Sequence, residues 1–71
     1  MKELEIQTEY ITLGQALKLS GEVSSGIEAK IRIQDGEILV NGDVCTQRGK
    51  KLRHNDTFEI DGEKYIINDH S

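Results

Sequence analysis

Two dipeptides, Asn41-Gly42 and Asp61-Gly62, each sit between short runs rich in apolar residues. A two-residue hairpin turn whose twist matches its strands needs φ > 0 at both central positions, and Asn-Gly and Asp-Gly meet that demand best. The stretches "EILV-NG-DVCT" and "TFEI-DG-EKYII" therefore predict two β-hairpins in the C-terminal half. No proline interrupts them.

The N-terminal half carries helix caps instead. Thr12 and Gln15 stand at capping-box spacing, with Ile11 placed to staple onto Ala16. Leu13, Ala16 and Leu17 share one helical face, and Gly21 supplies a stop, so a helix is predicted from about Thr12 to Ser20. Gly14 weakens it slightly. Ser25 and Glu28 form a second capping pair ahead of Gly36, which predicts a helix from Gly26 to Gln34. Ile27, Ile31 and Ile33 make no single stripe there, and "KIRIQ" alternates as a strand would, yet two capping devices and the length favour helix. Before both, "LEIQTEYI" alternates weakly and reads as a short edge strand. The sum is an α+β domain: two short N-terminal helices packed on a small antiparallel sheet of hairpins.

With 71 residues, the chain is read as a single domain, 1–71. A domain this small buries only roughly 60% of its unfolded surface, which leaves little room for an enclosed catalytic cavity. No apolar run approaches the ~18 residues of a membrane span, and "MKELEIQTEY" lacks the apolar region of a signal peptide. A soluble, cytoplasmic protein is expected. The single Cys45 excludes an internal disulfide and favours a reducing compartment. His54 and His70 make no metal-ligand spacing with it. Neither a metal nor another cofactor is expected. No Ser-His-Asp arrangement, Cys-His pair, paired carboxylates or phosphate-cradling glycine loop appears, so the chain is not read as an enzyme.

Charge is distributed unevenly. The stretch "VCTQRGKKLRHN", residues 44–55, holds Arg48, Lys50, Lys51 and Arg53, four of the nine basic residues, and no acid. Between Lys18 and Arg53 the local balance is +2, whereas the remainder of the chain is −6. A net charge of −4 argues against general coating of nucleic acid, but clustered charge is what steers a partner.

The segment "ITLGQALKLSG…SSGIEAKIRIQDGEILVNGDVCTQRGKKLRHNDTFEI" resembles the S4-type RNA-binding domain, also called the αL motif, over about residues 11–60. Within that family it is most similar to the small stand-alone YaaA/YbcJ-like group. The matching pieces are Leu17 to Leu19 with Gly21, Gly26 with Ala29 and Lys30, Gly36 with Val40 to Gly42, and Arg48 with Lys51. The resemblance implies RNA binding through the helix pair and the basic loop, to structured RNA, ribosomal RNA foremost, with a ribosomal or assembly protein as a possible partner. The chain also departs from the family. Thr12 stands where an arginine is common, Gly26 and Ile27 replace an Arg-Ser pair, and Asn55-Asp56 replaces Gly-Asp. Lys18, Lys30 and the loop residues Arg48, Lys50, Lys51 and Arg53 would then carry the RNA contacts.

Each of these residues also has a plain structural reading. The loop can be a solvated connection, and lysine on an exposed edge discourages aggregation. Lys18 and Lys30 can be ordinary helix lysines, and Arg32 an ion-paired one, with Glu28 one turn back as its partner. Ser24 and Ser25 read as caps, His54 as a bystander, and Tyr10 and Tyr65 as packing residues rather than base-stacking platforms. The rival reading is an acidic protein-interaction module with no nucleic-acid role. It would use Glu3, Glu5 and Glu9 at one end and Glu59, Asp61, Glu63 and Asp69 at the other. A ubiquitin-like sulfur carrier is disfavoured because the chain closes on "NDHS" rather than Gly-Gly.

Overall fold

The computed structural model describes residues 1–69; His70, one of the two histidines considered above, lies outside them. The elements run β1 Lys2–Ile6, β2 Ile11–Thr12, α1 Leu13–Leu19, α2 Gly26–Gln34, β3 Leu39–Val40, β4 Asp43–Val44, β5 Lys51–Leu52, β6 Thr57–Ile60 and β7 Glu63–Asp69. The α+β class holds, but two details of the expected architecture do not. Two strands precede the helices where one edge strand was expected, and the main sheet is mixed rather than antiparallel.

That sheet has the order β1-β7-β6-β3-β4. β1 runs parallel to β7, with Lys2 opposite Tyr65 and Ile6 opposite Asp69. The other pairs are antiparallel. The edge strand expected over "LEIQTEYI" forms only in its first three residues, which belong to β1, and Ile11 opens β2 instead; in β1 Leu4 and Ile6 are buried while Glu3 and Glu5 face solvent. Its partner comes from the far end of the chain, which no local pattern records. β2 and β5 form a separate two-stranded ladder that pairs Ile11 with Leu52 and Thr12 with Lys51.

Both hairpin turns form as the dipeptides require. Asn41 and Gly42 have φ of 50° and 88°, and Asp61 and Gly62 have 52° and 78°. Asn41 does more than turn the chain. Its side-chain oxygen accepts from the Thr57 backbone N–H at 2.9 Å, and its amide donates to Asp56 at 3.2 Å, which ties the first hairpin to β6.

The helix caps also form. Thr12 accepts from the Gln15 backbone, and the Gln15 side chain accepts from the Thr12 backbone. Ser25 Oγ accepts from the Glu28 N–H, while the Glu28 carboxylate reaches back one residue further, to the Ser24 N–H at 3.1 Å. The irregular isoleucine pattern of α2 resolves into two faces. Ile33 and Ala29 are buried, and Ile27 and Ile31 are exposed.

One apolar cluster joins Leu13, Ala16 and Leu17 of α1 and Ala29 and Ile33 of α2 to Val40, Phe58, Ile60, Tyr65 and Ile67 of the sheet. Phe58 and Tyr65 stack across β6 and β7 with centroids 4.9 Å apart. The Tyr65 hydroxyl donates to the Glu22 carboxylate. That bond first, and burial second, pushes its pKa up to about 12. Among the described residues no helix is long and apolar enough to cross a membrane.

Candidate nucleic-acid interface

The start of α1 determines where the basic loop lies. A helix leaves its first backbone N–H groups without intrahelical partners. Here the loop supplies them: the Leu13 N–H donates to the Lys50 carbonyl at 2.9 Å and the Gly14 N–H to the Arg48 carbonyl at 3.1 Å. Together with the β2–β5 pairs, these bonds bolt residues 48–52 along residues 11–14. The bolting has a chemical consequence. With Gln15 capped by Thr12, the first turn of α1 has spent these amides on protein and keeps none of them for an anion. At this helix start, affinity for phosphate must come from side chains.

Gly14 allows the approach. A Cβ at this position would lie 2.8 Å from Arg48 Cγ and 3.4 Å from its Cδ, so the aliphatic stem of Arg48 occupies the space a side chain would take. Arg48 then lines an open hollow of about 330 Å³ with Thr12, Gly14, Gln15, Lys18, Gly26 and Gly49. Two of the basic residues singled out in the sequence, Lys18 and Arg48, thus meet at one concavity between the starts of the two helices. Lys30 lies one helical turn beyond Gly26 on α2, exposed.

The other three loop cations point elsewhere. Lys50 borders a second hollow of about 370 Å³ beside Asn41, Asp43 and Cys45. Lys51 and Arg53 are two residues apart on either side of the buried Leu52, so they share the outer face of that segment. Both cover the ring of Tyr10, with Lys51 Nζ 4.9 Å and Arg53 Cζ 5.5 Å from its centroid. Tyr10 was expected to be a packing residue. It is instead a surface residue that positions two cations, and only the pairing of β2 with β5 brings them together.

Neutralisation is slight. Among the described residues no carboxylate lies within ion-pair distance of Lys18, Lys30, Arg48, Lys50 or Lys51. Arg53 differs: Glu9 approaches its guanidinium to 3.6 Å, and Asp56 accepts its backbone N–H at 2.7 Å. The acid-free stretch therefore acquires two acids through folding. The Glu9 pair is well exposed on both sides and adds little stability.

Arg32 is ion-paired, though not with Glu28. It donates to Asp61 at 2.7 Å and to Glu37 at 2.9 Å, stapling the end of α2 to the β6–β7 turn. The bond to Asp61 is the leading reason its pKa is raised. His54 accepts from the Asp69 backbone N–H at 3.0 Å, a structural role. No group of three or more His, Cys, Asp or Glu among the described residues could hold a metal ion.

A sequence model described as the S4 domain matches residues 4–68 of this chain. The chain belongs to the S4 domain family. The match extends beyond the resemblance at residues 11–60 because it takes in the last three residues of β1 and most of β7, the parallel pair that completes the sheet. The S4 domain here is also similar to a curated protein, the probable ribosome maturation protein RlbA of Bacillus subtilis (strain 168). The two are 46% identical over 59 residues, which cover 83% of each chain.

Proposed function

We propose that this S4-domain protein is a non-catalytic RNA-binding module that grips the backbone of structured ribosomal RNA in the cytoplasm. A ribosomal or assembly protein is the second partner of this reading, because a domain with so few cations needs a pre-folded RNA site or a protein neighbour to bind tightly. The observation that carries the reading is the shared hollow of Lys18 and Arg48, held rigidly by the bonds between the basic loop and the start of α1. Arginine supplies a fork able to hold two phosphate oxygens, and lysine supplies a point charge. Lys50, Lys51 and Arg53 extend the positive rim along the loop, and Lys30 extends it along α2. The ribosomal assignment is supported by the name of the similar Bacillus subtilis protein.

Spent helix amides and scattered cations make a modest grip. With about four phosphates neutralised, affinity should fall with salt at a log–log slope of about −3 to −4. The test is fluorescence anisotropy with structured ribosomal RNA fragments and an unstructured control, over a salt series. Two folded variants accompany the wild type: Lys18→Glu with Arg48→Glu, and Lys50→Glu with Lys51→Glu and Arg53→Glu. The expected result is salt-sensitive binding to structured RNA, lost most in the first variant. Absence of binding at low salt, or equal binding by both variants, would overturn the proposal.

A further inference from the structure

We propose that the hollow beside Tyr10 is a binding site for one unpaired nucleobase, stacked on the Tyr10 ring while its phosphate is held by Lys18. The inference deepens the RNA-binding reading and rests on it.

The hollow measures about 670 Å³ and is lined by Thr8, Glu9, Tyr10, Ile11, Gln15, Lys18 and Leu19. That falls within the roughly 300–1,000 Å³ typical of small-molecule sites. Tyr10 is 38% exposed and Leu19 57% exposed, so two apolar side chains that line this hollow lie open to solvent. The backbone beneath the ring is fixed, since Thr8 Oγ1 donates to the Tyr10 carbonyl at 2.8 Å.

Neither Lys51 nor Arg53 lines this hollow, although both lie over the ring. The Tyr10 ring thus borders the concavity and lies beside two cations that do not line it. A base entering the concavity would have an aromatic surface to stack on, with Leu19 as an apolar wall and the Gln15 amide, whose oxygen is held by the Thr12 N–H, also lining the site. Lys18 borders this hollow and also the Lys18–Arg48 hollow, so it joins a base site to a phosphate site. Charge complementarity selects the occupant. A cleft walled by an aromatic ring and bordered by Lys18, with its one acid, Glu9, 3.6 Å from the Arg53 guanidinium and Lys51 near the same ring, matches a nucleotide, which carries a flat π-face and an anion together. Stacking of a base on an aromatic side chain adds roughly tenfold or more in affinity.

The test compares two probes of equal charge, adenosine 5′-monophosphate and ribose 5-phosphate, titrated into the intact protein and followed by NMR. The Tyr10 ring and Leu19 methyl signals are the readout. The expected result is that the nucleotide moves both sets of signals, while ribose 5-phosphate moves only those of the lysine side chains. Tyr10→Leu should abolish the base-dependent shifts, Tyr10→Phe should retain them, and both variants should keep the remainder of the spectrum. Equal shifts with the two probes, or none at Tyr10 and Leu19, would overturn the base site and leave the cleft to an apolar protein segment. The RNA reading is judged separately by the anisotropy experiment, so binding of RNA without base-dependent shifts would remove this proposal and spare the other.

Discussion

Gly14→Ala provides a quantitative test of how Arg48 is held. Gly14 lies within α1 and has no positive φ, so alanine is compatible with its backbone and should gain about 1 kcal/mol of helix propensity. Against this stands the contact of 2.8 Å between the new Cβ and Arg48 Cγ. The Arg48 carbonyl would be 3.7 Å away, an ordinary contact, so the backbone bond from Gly14 can survive and only the side chain must yield. Moving an arginine stem off its rotamer costs about 0.5–1.5 kcal/mol. The two terms nearly cancel, and the single substitution should leave Tm almost unchanged.

In an Arg48→Ala background the opposing atoms are gone, and the same change should stabilise by about 1 kcal/mol. For a domain of this size that is about 4–8 °C in Tm. An Arg48→Lys background should behave like the wild type, because lysine keeps the Cγ and Cδ that make the contact. Thermal unfolding of the four proteins of the Gly14/Arg48 cycle, with the lysine pair as control, measures the coupling directly. If Gly14→Ala raised Tm equally in the wild-type and Arg48→Ala backgrounds, the close packing of Arg48 over Gly14 would be refuted.

Three further outcomes are expected. Because the folded pKa of Tyr65 is raised from 10.0 to about 12, its contribution to stability is fully present below pH 10 and is lost as pH rises from about 10 through about 12; Tyr65→Phe should flatten urea-midpoint curves in that window, and an unchanged slope would exclude the Glu22 bond as its cause. Asn41→Gly preserves the turn, since glycine accepts φ of 50°, but removes the acceptor for the Thr57 N–H, and should cost about 1 kcal/mol in urea denaturation. Phe58→Ala empties a fully buried position stacked on Tyr65 and should cost about 3–5 kcal/mol, visible as a large fall in Tm or loss of the cooperative transition.

Local devices were legible from residue order. The two Xaa-Gly turns, the Thr12–Gln15 capping box, and the limits Gly26 and Gln34 of α2 all depend on atoms within a few residues, and all appear where expected. What escaped depends on partners remote in the chain. β1 finds β7, β2 finds β5, and Arg32 finds Asp61 rather than the nearby Glu28, since the Glu28 carboxylate is engaged at the start of its own helix. The candidate site divides in the same way. The basic residues were visible as composition, but their division into a Lys18–Arg48 pair and a Lys51–Arg53 pair over Tyr10 arises only when residues 11–14 pair with 48–52.

The parallel pairing of β1 with β7 sets a timetable for folding. Glu3 and Asn68, joined by a side-chain hydrogen bond, are 65 positions apart in the chain. During synthesis the first strand emerges early, with Leu4 and Ile6 uncovered, and waits until the last strand has left the exit tunnel. The caps and turns between them can assemble meanwhile, because they need only near neighbours. The sheet edge closes only when β7 arrives, and a chain stalled before β7 would leave Leu4 and Ile6 on an unpaired strand.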